Sequence, residues 1–214
     1  MTGLVGFGFI AGVMGLLTLL APYSFELAKK DLYKSTVFRL WFGFSIVLML
    51  CVCVYRPEYT FHIPFIGMLW LLAAVDVKAM SVRIIDCVIL TGTVAVAGAM
   101  SAVGVKLFLL FIVGVALVGL KYILKGLYGQ DALGAADIWI VLAMMAALGG
   151  QAAIVGVYVA IIGSAVVGLV LLALRKLSKK SPVPFIPFLA VGTTVAIFWS
   201  PQLVAWYLGL VGAL

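Results

Sequence analysis

Eight apolar runs follow one another along this chain, at roughly 3–21, 40–55, 63–80, 84–104, 106–124, 138–149, 152–174 and 185–200, with only short connections between them. About 20 apolar residues is the length an α-helix needs to cross the hydrocarbon of a bilayer. Backbone placed there must bond to itself, because an unpaired N–H or C=O in lipid costs several kcal/mol. The fold class expected is therefore all-α, a polytopic membrane bundle of about eight transmembrane helices that forms a single domain over 1–214. Composition closes off a water-facing globule: 66% of the 214 residues are hydrophobic, 10% are charged, and the mean hydropathy is +1.33, whereas an ordinary soluble domain is about half apolar and about a quarter charged. The first run, Gly3 to Ala21, has no basic residue ahead of it and so lacks the charged start of a cleavable signal peptide; it is expected to stay as the first span. A further apolar tail, 202–214, has no assigned place.

A formal charge of +7 suggests nucleic acid until the charges are located, since clustered Lys and Arg are the footprint of phosphate binding. Here they occupy the loops between apolar runs, where they report membrane orientation. With the N-terminus outside, the inner loops hold Lys29, Lys30, Lys34, Arg39, Lys78, Arg83, Lys121, Lys125, Arg175, Lys176, Lys179 and Lys180, and only Arg56 and Lys106 of the 14 basic residues fall outside. This bias predicts a multi-pass protein of the inner (plasma) membrane, with lipid as its surroundings and no nucleic-acid partner. An even number of spans puts the C-terminus outside as well.

Several features read as packing. Gly156, Ala160, Ser164 and Gly168 recur every fourth position and line one helix face with small residues, as do Gly8 and Gly12 in the first span; such stripes let neighbouring backbones approach closely. Gly149-Gly150-Gln151 reads as a tight outer turn, and Lys176 to Pro187 as an inner loop leading into the last run. Cys51, Cys53 and Cys87 lie within apolar runs and form no Cys-x-x-Cys pair, so they read as small buried hydrophobes. His62, the single histidine, cannot build a metal cluster and reads as an interfacial polar residue.

Chemistry rests on seven acidic residues. Glu26 and Asp31 are interleaved with lysines in the first inner loop, Glu58 stands beside Arg56, and Asp131 falls in the polar stretch Tyr128-Gly129-Gln130-Asp131. Asp86 follows Arg83 by three residues, which suits a boundary ion pair or a helix-start charge. Asp76 and Asp137 differ from these. Asp76 closes the run Met68 to Val75, and Asp137 stands directly before Ile138-Trp139-Ile140-Val141-Leu142, so both reach the inner boundary at similar depth. Ionisable groups at membrane depth are costly and mark function.

Two carboxylates facing each other in a partly dehydrated site cannot both ionise readily, so they share a proton. One can then take a proton from water while the other donates to a carbonyl oxygen, which is peptide hydrolysis without a metal or a covalent intermediate. The plainer alternative pairs Asp76 with Lys78 or Arg83 and lets Asp137 cap the helix that follows it.

Three stretches carry a resemblance to a known family. They are Ala74-Val75-Asp76-Val77-Lys78, then Leu133-Gly134-Ala135-Ala136-Asp137-Ile138 continued by Leu142 to Gly149, and Val183-Pro184-Phe185-Ile186-Pro187-Phe188-Leu189-Ala190-Val191-Gly192. In order, spacing and membrane placement they resemble the type IV prepilin peptidases, polytopic aspartic proteases of the Gly-x-Gly-Asp type to which archaeal preflagellin peptidases are related. The resemblance implies that Asp76 and Asp137 are the catalytic pair, that Gly134 is the motif glycine admitting a close backbone, and that Pro187 belongs to a supporting loop. It further implies a prepilin-like protein substrate, with a basic leader ahead of a hydrophobic helix, cut at the cytoplasmic membrane face.

The chain departs from the family at several places. Ala136 stands where the family has Gly, and a methyl group there can crowd the backbone that carries Asp137. Trp139 replaces a Lys, Arg83-Ile84 an Ile-Pro pair, and Ile186 a Gly. Many bacterial members also methylate the new N-terminus and carry a cysteine-containing domain between the first two spans; here that region is only about Pro22 to Arg39 and has no cysteine. The expectation is a peptidase without methyltransferase activity, zinc or S-adenosylmethionine. Two rivals remain: a small ion- or proton-coupled transporter using the same carboxylates, and a non-catalytic membrane assembly factor built on the same fold.

Overall fold

A computed structural model describes residues 36–56, 59, 62–79, 82, 85–87, 90–91, 94, 103–128, 134–175 and 183–212. The expected first span, its Gly8/Gly12 stripe, and Glu26, Asp31, Glu58, Arg83 and Asp131 lie outside these residues. Among the described residues there is no strand. The helices are α1 (Thr36–Tyr55), α2 (Ile63–Ala79), α3 (Val103–Tyr128), α4 (Ala135–Leu148), α5 (Gly150–Ala173) and α6 (Ile186–Val211); residues 85–87, 90–91 and 94, within the fourth apolar run, are helical too.

Three of these are long and apolar enough to cross a membrane, by length and composition: Leu110–Leu127 of α3, α5 and α6. The segments Gly43–Tyr55, Phe65–Val77 and Ala135–Leu148 are shorter apolar helices. Helix ends depart from the apolar runs where polar residues tolerate helical backbone. Thus α4 begins three residues ahead of Ile138 and takes Asp137 inside its first turn. Helix α6 does not stop at Ser200 but continues through Pro201 and gathers most of the C-terminal tail. Proline withholds an N–H from the helix ladder and presses on the preceding turn. At that turn Arg56, from the α1–α2 connection, donates its guanidinium to the Phe198 carbonyl.

Helix α6 is the centre of the bundle, packing against α5, α2 and α4; α1 packs on α2, and α3 on α4. Its buried face, Ile186, Leu189, Ala190, Gly192, Thr193, Ala196, Ile197 and Ser200, meets the apolar interiors of α2 and α4 in one core. Polar contacts fix the antiparallel register of α2 against α6. Trp70 donates its indole N–H to Thr194 Oγ1 at 3.2 Å, the Thr194 hydroxyl donates to the Ala190 carbonyl at 2.9 Å, and Arg56 meets Phe198 at the far end. Phe44 of α1 sets its ring edge-on to Trp70, centroids 5.0 Å apart.

Helices α5 and α6 pack most extensively of all, and here the small-residue stripe acts as expected over half its length. A Cβ on Gly156 would stand 3.1 Å from the Gly192 carbonyl oxygen, and one on Gly192 would overlap the Gly156 carbonyl oxygen. The two backbones are therefore in contact, with Ala160 buried beside them. Further along, Gly168 has nothing within 4 Å and Ser164 turns its hydroxyl onto the Ile161 carbonyl at 2.9 Å. The turn at Gly149-Gly150-Gln151 is tighter than three residues: Gly149 alone joins α4 to α5, at φ +82, with its N–H on the Met145 carbonyl.

Backbone atoms cannot yield as a side chain can, so Gly192→Ala is expected to lower stability by about 1–3 kcal/mol through overpacking. Gly168→Ala should leave it unchanged or slightly raised. Thermal unfolding of the detergent-purified variants, followed by helical circular dichroism, checks the contrast.

Candidate active site

Asp76 lies in the last turn of α2, 7% exposed. Its Oδ2 accepts the backbone N–H of Ile186 at 3.2 Å. The first N–H groups of a helix have no partner within it, and the residue before α6, Phe185, offers no capping side chain. Asp76 supplies the cap from another helix. The remaining donors of that turn are accounted for: Pro187 has none, and the N–H groups of Phe188 and Leu189 both reach the Phe185 carbonyl, at 3.0 and 3.2 Å. Pro187 is thus not in the loop, as the sequence suggested, but in the first turn of α6, where a missing N–H removes one orphan donor and a fixed φ favours the helix start. The partial positive charge of the helix end also favours a carboxylate there.

Asp137 occupies the third position of α4 and reaches back to the N–H of Gly134, the residue before the helix, at 3.1 Å. Gly134 has ordinary extended backbone, φ −67 and ψ 146, so conformational freedom is not what it supplies. A Cβ there would stand 2.8 Å from Asp137 Oδ2 and 3.5 Å from Cγ. The close neighbour at Gly134 is therefore a carboxylate rather than the backbone expected from the sequence. The Ala136 methyl finds room: the residue sits partly buried in the first turn, packed against the core.

The two carboxylates, far apart in sequence, lie near enough for Asp76 to act electrostatically on Asp137. Capping and proximity coexist, so the plainer reading of Asp137 as a helix cap is true without separating the pair. Three neighbours escaped the sequence. Cys87 is fully buried, as expected of a small hydrophobe, but its Sγ lies 4.0 Å from the Ala136 carbonyl and its thiol feels the charge of Asp137. Asp86, read from the sequence as a boundary ion pair or a helix-start charge, is 2% exposed. Lys121 of α3, counted in the sequence only as an orientation charge, also acts on Asp137; its spacing from Gly114 and Leu117 was the signal available. Trp139 is exposed beside the site. Among the described residues no group of three or more His, Cys, Asp or Glu side chains is arranged to hold a metal ion. At the opposite end, where His62 sets its ring edge-on to Tyr59, a cavity of about 590 Å³ opens between Tyr59, Gln151, Ser200 and Pro201.

Comparison with known proteins finds partial sequence matches. The chain is 30% identical over 92 residues to a prepilin leader peptidase/N-methyltransferase of Aeromonas salmonicida, covering 43% of this chain and 32% of that protein. It is 32% identical over 89 residues to the protein of that name from Aeromonas hydrophila (42% and 31%) and 34% identical over 94 residues to that from Stutzerimonas stutzeri (44% and 32%). These matches relate the chain to the type IV prepilin peptidases. The chain spans about a third of the length of the curated relatives it matches. No family model matches it, and no solved structure does.

Removing the Asp76 cap leaves the Ile186 N–H buried without a partner, so Asp76→Ala is expected to cost about 1–3 kcal/mol. Asp76→Asn keeps an acceptor oxygen and should melt close to the parent. The same unfolding measurement separates them.

Proposed function

We propose that this chain is an intramembrane-type aspartic endopeptidase that removes the short basic leader from prepilin-like precursors. The observation that carries the reading is that Asp76, on α2, lies near enough to act electrostatically on Asp137, on α4, in an apolar helical bundle. The partial relatives are named prepilin leader peptidases, which supports a peptidase without specifying its mechanism. In this reading the protein is a multi-pass protein of the inner (plasma) membrane with its N-terminus outside, and the carboxylates stand at the cytoplasmic face, as the loop charges suggest.

Hydrolysis by such a pair follows from its shared proton. The ionised carboxylate takes a proton from water as the water oxygen attacks the peptide carbonyl carbon, and the protonated one donates to the carbonyl oxygen. The tetrahedral intermediate then collapses, the C–N bond breaks, and a carboxyl group returns a proton to the leaving amine. Both carboxylates are oriented in advance by backbone N–H groups, those of Ile186 and Gly134, which reduces the reorganisation left for the reaction. The substrate's hydrophobic helix would pack laterally against the spans and present its scissile bond at the boundary. The relatives are also named N-methyltransferases, but no methyl transfer is proposed for this chain, because the region Pro22 to Arg39 carries no cysteine.

Co-expression with a prepilin-like precursor and a gel-shift readout tests the reading. The parent should cleave; Asp76→Asn and Asp137→Asn, at equal membrane levels, should lose essentially all cleavage. Survival of cleavage in either variant rules out the dyad. Gradual rather than complete loss, with altered ion coupling, would favour a transporter, and no cleavage by the parent across several precursors would favour an assembly factor. Gly134→Ala, which displaces the Asp137 carboxylate, is expected to reduce cleavage at least tenfold while the protein still folds.

A further inference from the structure

Helix α3 presents an ordered stripe to α4. Among its described side chains from 110 to 127, only Leu110, Val113, Gly114, Leu117 and Lys121 escape full exposure, and their three- and four-residue spacing marks one face of a helix. Gly114 fixes the register, since a Cβ there would lie 3.5 Å from Leu142 Cδ1 of α4. Lys121 is two turns further along α3, about 10.5 Å, and Asp137 is five residues back along α4, about 7.5 Å. In an antiparallel pair these advances run the same way, so Lys121 and Asp137 stand within about 3 Å of the same level. A lysine's flexible four-carbon stem spans that difference. A cation thus lies on the face of α3 that its described side chains turn toward the carboxylate helix.

We propose that Lys121 is a positioning residue for Asp137, its ammonium group facing that carboxylate across the α3–α4 contact and setting how readily the carboxyl releases and recovers its proton. The inference rests on the peptidase reading for its role in catalysis, but not for the contact itself. The titratable and charged groups that face Asp137 among the described residues are Asp76 on α2, Cys87 in the helical residues 85–87, and Lys121 on α3, with Asp86 next to Cys87. Asp76 discourages charge on Asp137 and Lys121 encourages it, as like and opposite charges must. Against Asp76, Lys121 supplies the opposing charge, and it does so from a helix that carries neither carboxylate.

Dicyclohexylcarbodiimide, an apolar reagent that modifies protonated carboxyl groups, tests this on the full-length protein in detergent. Mass spectrometry of the Asp137 peptide gives the labelling rate at neutral pH for the parent, Lys121→Met and Lys121→Arg. Lys121→Met should label Asp137 several-fold faster, and Lys121→Arg should return to the parent rate. In precursor cleavage, the acid side of the Lys121→Met pH profile should move to higher pH while melting stays at the parent value. Equal labelling in Lys121→Met and parent overturns the inference, as does an arginine variant that behaves like the methionine one. If the parent cleaves and labelling does not respond to Lys121, the inference falls and the peptidase reading stands. If labelling responds but the parent cleaves no precursor, the inference stands and the peptidase reading falls.

Discussion

One carboxylate holds the bundle's central helix in place. Asp76 closes the open end of α6 from a neighbouring helix, and α6 is the element against which α2, α4 and α5 are arranged. A buried helix end without a partner is costly, and the residues around this one leave no substitute: phenylalanine precedes the helix and proline takes its second position. The group that the catalytic reading needs is therefore also the group that aligns the supporting helix. Such economy ties the orientation of the carboxylate to the integrity of the fold.

The other fixed point is the contact of α5 with α6 at Gly156 and Gly192. Between helices in lipid there is little hydrophobic gain from association, so close packing and polar links hold them. The glycine contact supplies the first, and the Trp70–Thr194 and Arg56–Phe198 bonds supply the second. Together they leave α6 little freedom to slide, and so little freedom for the Ile186 N–H to leave Asp76.

Much of this was legible in the sequence, for a physical reason: in lipid the backbone has few alternatives to helix, so an apolar run is nearly an element. The positions of α1, α2, α4 and α5 follow from their runs within a few residues. Sequence and structure part at two prolines. The last apolar run closes at 200, but the helix passes through Pro201; Pro187 read as loop, but it sits in the first helical turn. The pair Asp76 and Asp137 could be singled out because charge is rare in so apolar a chain. Their partners could not, since Ile186 and Gly134 act through backbone N–H groups that leave no mark on residue type. Gly134 was noticed for a resemblance, yet its reason, room for a carboxylate oxygen, is visible only in three dimensions.

The length of α4 has a consequence for water. Its 14 residues rise about 21 Å, against a hydrocarbon thickness of about 30 Å, and Gly149 ties its other end directly to α5. With that end near one surface of a bilayer, the first turn of α4 stops short of the opposite surface. The backbone at Gly134 can lie at such a depth because its N–H is bonded to Asp137 and its carbonyl to the Ile138 N–H. On the peptidase proposal, the water that is consumed would then have to descend below that surface to reach Asp137.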